Sequence, residues 1–122
     1  MNEYHLGEIE RRFAELIWTH EPVNSGELVK LALETLGWKK STTYTVLRRL
    51  CDRGIFRSEG GVVTSLLSRE EFDARQSEAF VNDAFDGSLP RFLTAFAARG
   101  RLSDEEIDQL QAFIDSHRGK KS

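Results

Sequence analysis

The sequence predicts a mainly α-helical fold with one small β-hairpin, in which three helices precede the hairpin and three follow it. Apolar residues recur at the helical period from Leu6 to His20 and again through the second half of the chain. The period changes between residues 55 and 67, where two β-rich runs flank Gly60-Gly61. With 39% apolar and 30% charged residues, the composition is that of a folded globular chain and not of a disordered one.

The first two helices are predicted from apolar spacing and from residues that end helices. The first runs from about Leu6 to His20, because its apolar residues follow steps of three and four and Pro22 ends it. The second begins after Asn24, which with Glu27 forms a capping-box pattern, and Gly37 closes it.

The third helix and the hairpin complete the first half of the chain. Ser41 is the predicted N-cap of this helix, and Gly54 closes it at a position that tolerates a left-handed backbone. The hairpin spans 55–67, and Val23 is a candidate for a short pairing strand. Three helices followed by a hairpin is the plan of a winged helix-turn-helix, so residues 1–67 are assigned to such a domain.

Residues 68–122 are predicted to form three short helices that pair two copies of the chain. Ser68, Ser88 and Ser103 are their predicted caps, and six of the eight phenylalanines lie in this segment. Such short helices make a poor core alone, so the rings need a partner surface, which a second copy supplies economically. The alternative is that they fold back on the winged domain in a monomer. The predicted dimerisation residues are Phe72, Phe80, Phe85, Phe92, Leu93, Phe96, Ile107, Leu110, Phe113 and Ile114.

The net charge of -3 is distributed unevenly along the chain. Residues 38–57 carry six basic side chains and one acidic one, a balance of +5 in an otherwise acidic chain. A basic island of this kind is a local electrostatic footprint for a polyanion. The weakly acidic total argues against indiscriminate coating of nucleic acid, which needs concentrated positive charge.

On a helical wheel, the third helix separates an apolar side from a polar one. Thr43 and three aliphatic residues cluster on the side that can pack against the first two helices. The opposite side has hydroxyl groups at its N-terminal end and arginines one to two turns later, as suits a helix whose N-terminal part enters the major groove. Arg57 lies at the base of a wing whose Gly60-Gly61 tip has no basic side chain, so the wing is expected to contribute less than the helix. The predicted DNA-binding residues are Lys39, Lys40, Ser41, Thr42, Tyr44, Thr45, Arg48, Arg49 and Arg57.

Other chemistry is not expected from this sequence. Cys51 cannot form an internal disulfide, which favours a reducing compartment, and it is interpreted as a packing residue in preference to a redox switch. The three histidines are isolated, so no metal site is predicted. Neither a phosphate-binding glycine motif nor a nucleophile elbow occurs, and we expect no catalytic residues and no cofactor. No signal peptide or membrane span is readable, so a cytoplasmic protein without membrane insertion is expected.

The run from Trp38 to Leu50, closed by Asp52-Arg53-Gly54, resembles the recognition segment of penicillinase-repressor (BlaI/MecI-type) transcriptional regulators. The likeness extends from about Leu6 to Ser116 and includes Phe85-Asp86-Gly87-Ser88-Leu89. It implies a dimeric repressor of the β-lactam-resistance type that binds inverted-repeat operators in double-stranded DNA, commonly with TACA/TGTA half-sites. By position, the base- and phosphate-contacting sites of the family fall on Ser41, Thr42, Thr45 and Arg49.

Two departures from the family pattern affect the expected readout and induction. Ser41 stands where several relatives have lysine, which implies a different half-site preference, and Thr43 stands where an apolar residue usually packs. In the best-known relatives, a membrane sensor-protease leads to cleavage at an Asn-Phe bond in the dimerisation region. The matching position is Ala95-Phe96, which keeps the phenylalanine and lacks the asparagine. The paired Cys-x-Cys motifs of a copper-responsive branch are absent.

Two alternative functions fit the same predicted fold. A winged-helix sensor would bind a small effector between its domains, and a ligand-stabilised melting transition would favour it. A winged helix used only to bind protein would fail to shift any promoter DNA, although the hydroxyl and arginine face speaks against that reading.

Overall fold

The computed structural model describes residues 4–119, and the mainly α-helical fold predicted from the sequence is confirmed. Within these residues the chain forms six helices and three short strands. In chain order they are α1 (Glu8–His20), β1 (Val23–Asn24), α2 (Ser25–Leu36), α3 (Lys40–Asp52), β2 (Phe56–Glu59), β3 (Val62–Ser65), α4 (Arg69–Phe85), α5 (Leu89–Arg99) and α6 (Asp104–His117).

The three strands form one antiparallel sheet in the order β1-β3-β2. The short strand expected at Val23 pairs with Val63, and β2 pairs with β3 in the predicted hairpin. Gly60 and Gly61 have φ angles of 59° and 78°, the positive values that a tight two-residue hairpin turn requires. The winged helix-turn-helix arrangement predicted from the sequence is therefore present.

The helix starts agree with the predicted caps in the second half, whereas in the first half α1 and α2 each differ in one respect and α3 starts earlier than predicted. The oxygens of Ser68 and Ser103 accept the backbone N–H three residues later at 3.0 and 3.1 Å, and Ser88 accepts from Arg91 at 3.2 Å. Helix α1 begins at Glu8, two residues after the predicted Leu6. The remaining difference concerns α2, whose N-cap oxygen accepts from the nearer Gly26 N–H at 2.8 Å, an i to i+2 bond and not the N3 bond of a capping box.

The chain divides into two compact units, the first ending at Phe80 and the second beginning at Val81. The division falls inside α4 and not at the predicted boundary between residues 67 and 68, because the first turns of α4 pack on α1. Arg11 pairs with Asp73 at 2.6 Å, and Arg69 pairs with Glu15 at 2.7 Å.

The core of the first unit surrounds Trp18, and it corrects the role expected for one phenylalanine. Phe72, predicted to help pair two copies, is fully buried here, with its ring centroid 5.7 Å from that of Trp18. The indole also packs against Phe56 at 5.4 Å and donates its N–H to the Leu67 carbonyl at 2.9 Å. A side chain held this way presents no surface to a partner, so Phe72 stabilises the winged domain.

The second unit leaves much of its apolar surface uncovered. No side chain of the fully described helices α5 and α6 is buried, and Phe96 and Phe113 are each 58% exposed. Ile107 and Phe113 are likewise exposed in the single chain, because two short helices cannot enclose a core. Phe96 and Phe113 instead line an open groove of about 430 Å³ between α5 and α6.

Candidate nucleic-acid interface

Helix α3 begins two residues earlier than the sequence predicts, which changes the role of Ser41. Lys39 is the N-cap, and no side chain caps the helix, so the expectation that Ser41 caps it is wrong. Ser41 lies in the first turn, where its carbonyl accepts the Thr45 hydroxyl proton at 2.9 Å. The first-turn N–H groups of α3 are left without a side-chain acceptor, which is the arrangement that a phosphate oxygen satisfies at a helix start.

The inward side of α3 is the one that the helical wheel indicates. Val46, Leu47, Leu50 and Thr43 are all buried. Thr43 stands where an apolar residue is usual, and its hydroxyl donates to the Lys39 carbonyl at 3.1 Å, so its buried polar atom is satisfied. This packing fixes which side of α3 meets the solvent.

The outward side holds the predicted contact residues in the expected order along the helix. The hydroxyl of Thr45 donates its hydrogen bond to the helix backbone. Its oxygen can therefore still accept a hydrogen bond from a ligand, and its methyl group can make an apolar contact. Tyr44 lies at the margin, with its hydroxyl donating to Ser25 Oγ at 3.4 Å and so linking α3 to the start of α2. All nine predicted DNA-binding residues are exposed to solvent: Lys39, Lys40, Ser41, Thr42, Tyr44, Thr45, Arg48, Arg49 and Arg57.

Two of the predicted DNA-binding arginines pair with carboxylates that the sequence analysis did not single out. Arg49 Nη1 lies 3.2 Å from Glu10 Oε2 on α1, and Arg57 pairs with Glu59 on the same strand. The pair of Arg57 and Glu59 could have been predicted from the sequence, because residues two apart on a strand lie on the same face. The first pair has no sequence signal, because 39 positions separate its partners and only the tertiary fold brings them together.

A shallow groove runs beside Arg48, between α3 and the first strand of the wing. It has a volume of about 260 Å³ and is lined by Tyr44, Leu47, Arg48, Cys51 and Ser58. Burial raises the pKa of the Cys51 thiol, and the negative charge of Asp52 adds to the effect. A thiol with a raised pKa is protonated at neutral pH and poorly nucleophilic, which supports the interpretation of Cys51 as a packing residue.

The wing is held at its base by a carboxylate and carries little positive charge at its tip. Glu21, which follows α1, accepts hydrogen bonds from the Ser65 backbone N–H at 2.8 Å and from its hydroxyl at 2.7 Å. These bonds tie the end of β3 to the end of α1 and fix where the hairpin projects. The tip itself consists of Gly60 and Gly61, so the cation nearest to it on β2 is Arg57.

The part of the chain that the structure describes has neither a cluster of metal ligands nor a membrane-spanning helix. Residues 4–119 contain no group of three or more histidine, cysteine, aspartate and glutamate side chains able to hold a metal ion. No helix within that range has both the length and the apolar character needed to cross a membrane.

The sequence of this chain matches a known protein family over nearly its whole length. The sequence model of the penicillinase repressor family matches residues 6–116. The chain belongs to the penicillinase repressor family. A curated relative, the penicillinase repressor of Bacillus licheniformis, is 28% identical over 120 residues, which cover 95% of this chain and 94% of that protein. Membership of the penicillinase repressor family confirms the resemblance seen in the sequence and assigns the chain to a family of transcriptional repressors and not of enzymes.

The bond between Ala95 and Phe96, predicted from the family resemblance as a proteolytic site, lies within a regular helix. Ala95 and Phe96 are both exposed, and both lie inside α5. Proteases bind their substrates as extended backbone, so attack on this bond requires that α5 first unwinds locally.

Proposed function

We propose that this member of the penicillinase repressor family is a homodimeric DNA-binding repressor that uses α3 to bind an inverted-repeat operator. The observation that carries the proposal is the division of α3 into two sides. Its aliphatic residues and Thr43 are buried, while the hydroxyl groups and the cations of the basic island remain exposed together. This is the arrangement of a recognition helix whose N-terminal part enters the major groove.

The residues of this face divide into readers of bases and holders of phosphates. Ser41, Thr42 and Thr45 lie in the first two turns of α3, where side chains reach base edges, and short hydroxyls suit that role. Arg48 and Arg49 follow one turn later, and guanidinium groups grip phosphate oxygens through paired hydrogen bonds. Lys39, Lys40 and Arg57 add positive charge at the edges of the same face.

The second unit supplies the surface that pairs two copies. Phe96, Ile107, Phe113 and Ile114 are each about half exposed on two helices that bury nothing of their own. Exposed apolar residues at this density mark an interaction surface, and a second copy covers the same patch on both subunits by two-fold symmetry. Two copies then present two α3 helices to the two halves of an inverted repeat.

Selection from a pool of random DNA duplexes tests this function directly. The purified protein should enrich sequences that contain two inverted half-sites separated by about one helical turn, or a multiple of it, at a stated salt concentration. Failure to enrich any duplex, at low as well as at physiological salt, would refute DNA binding and leave a protein-interaction role.

Replacing Arg49 with alanine is expected to weaken binding to all duplexes and to reduce the salt dependence of binding. Loss of one phosphate contact lowers the slope of log K against log salt by about 0.9. Fluorescence anisotropy over a series of salt concentrations measures both quantities. Arg12→Ala is the matched control, because Arg12 is an exposed arginine on α1 that donates to the Thr35 carbonyl, away from the proposed contact face. Equal losses in the two variants would contradict the role of Arg49.

Two substitutions of Thr45 separate its hydroxyl from its methyl group. Thr45→Val keeps the shape of the side chain and removes the acceptor oxygen, whereas Thr45→Ser keeps the oxygen and removes the methyl group. If Thr45 touches a base edge, one of them changes the preference at one base pair of each half-site by about 1 kcal/mol or more. Competition binding with single-base operator variants measures the change. An unchanged preference in both variants would remove Thr45 from the readout.

A further inference from the structure

Glu10 is held in place before any DNA binds. Its Oε1 accepts the backbone N–H of Gly7 at 3.2 Å, which is the capping interaction at the start of α1. Its Oε2 accepts from Arg49 Nη1 at 3.2 Å. The Glu10 side chain is 25% exposed and therefore partly shielded from water, and its bond to the helix start holds it in place, whereas the Arg49 side chain is 55% exposed.

Glu59 occupies a similar place on the wing with less restraint. It lies two residues after Arg57 on β2, and their side chains form an ion pair. The side chain of Glu59 is 68% exposed, and that of Arg57 is 58% exposed. An ion pair this open to water and salt contributes little, since both side chains keep most of their freedom and the charges are screened.

A carboxylate and a phosphate present the same kind of group to a guanidinium, namely anionic oxygens that accept its N–H bonds. In the free protein, Glu10 therefore already accepts one of the guanidinium N–H bonds of Arg49 that a phosphate would use. A phosphate that takes Arg49 must break this pair or share it, and it then lies close to a negative charge. Both effects lower the affinity for any duplex, whatever its sequence.

We propose that Glu10, and to a smaller extent Glu59, act as built-in competitors for DNA phosphates at Arg49 and Arg57. This inference rests on the proposed DNA-binding function. The competing carboxylates weaken the phosphate contacts that DNA of any sequence provides. They do not compete for the hydroxyl side chains that are proposed to contact bases. Glu10 and Glu59 thus set how strongly the repressor holds DNA in general, and they are binding determinants that do not themselves need to touch DNA.

The Glu10→Gln variant tests the proposal with little structural change, because the glutamine side-chain oxygen can still accept the Gly7 N–H. We expect non-specific duplex to bind about two- to fivefold more tightly, the range that a partly exposed ion pair supports. The salt dependence should also steepen, by a fraction of the 0.9 units that one phosphate contact provides. Glu59→Gln should act in the same direction and less strongly.

Glu8→Gln is the matched control, because Glu8 is an exposed glutamate in the first turn of the same helix and loses the same charge. Binding by this variant should change by clearly less than binding by Glu10→Gln. Equal gains in both variants would reduce the effect to net charge and overturn the proposal. Weaker binding by Glu10→Gln would overturn it too, because that result would mean that Glu10 orients Arg49 for DNA and does not compete with DNA for it.

A double-mutant cycle decides whether Glu10 acts through Arg49. In the Arg49→Ala background, Glu10→Gln should give no more than the small gain seen with Glu8→Gln, because no guanidinium remains to be released. A full gain in that background would overturn the inference and leave DNA binding intact. Failure of the unsubstituted protein to bind any duplex would refute the proposed function itself, so the two failures are distinguishable.

Discussion

Replacing Phe96 with aspartate is expected to convert the proposed dimer into a monomer and to cost most of the operator affinity. Phe96 is 58% exposed on α5 and lines the groove between α5 and α6, so a partner copy that covers this groove would have to bury the new charge. A monomer engages one half-site at a time and loses the effective concentration of the second, which is worth about 10²- to 10⁴-fold in affinity. Sedimentation velocity and binding to a full operator measure the two effects.

Thr94→Asp provides the control for Phe96→Asp. Thr94 lies two positions earlier on α5, about 200° around the helix, where it lines a separate groove beside Phe85 and not the groove of Phe96. The same added charge should leave the dimer intact there. A Phe96→Asp variant that stays dimeric, or a Thr94→Asp variant that dissociates equally, would place the interface elsewhere.

Replacing Phe72 with alanine is expected to destabilise the winged domain by about 3–5 kcal/mol without dissociating the dimer. Its ring is fully buried against Trp18, so truncation leaves a cavity in the core of the first unit. A loss of this size is a large part of the free energy of unfolding of a typical domain. Both tryptophans of the chain, Trp18 and Trp38, lie in that unit, so urea unfolding followed by tryptophan fluorescence reports its stability.

Phe113→Ala gives the opposite expectation and serves as the matched control. Phe113 lies in the second unit and is 58% exposed, so its truncation should leave the fluorescence midpoint of the winged domain unchanged and weaken self-association. If Phe72→Ala dissociated the dimer at unchanged stability, the original assignment of Phe72 to the dimer surface would be restored.

Much of the fold was predictable because its signals are local. The Gly60-Gly61 turn needs positive φ angles, which glycine adopts freely. A serine N-cap defines a helix start through a hydrogen bond to the backbone N–H three residues later, and a glutamate at that later position can bond back to the cap. The two sides of α3 followed from helical spacing alone, including the burial of Thr43. The start of α3 was misplaced by two residues, because a serine in the first turn of a helix fits the N-cap preference even when another residue holds that position.

The candidate site was predictable in its residue types and not in its pairings. Hydroxyls and arginines at helical spacing mark the outward side of α3, but a helical wheel does not show which neighbouring helix supplies an acid. Glu10 meets Arg49 only because the tertiary fold brings the first turn of α1 beside that arginine. Such a contact depends on where two helices cross, which neither segment encodes by itself.

Sequence by itself determined the order of helices and strands, the amphipathic character of the third helix and the excess of aromatic rings after the wing. Those properties depend on neighbours within a few positions along the chain, where backbone preference and periodicity decide. Tertiary structure alone decided that Phe72 completes the core around Trp18, while Phe96 and Phe113 stay open to solvent. All three are phenylalanines on amphipathic helices, and only the surfaces that the rest of the chain places opposite them determine which ones are covered.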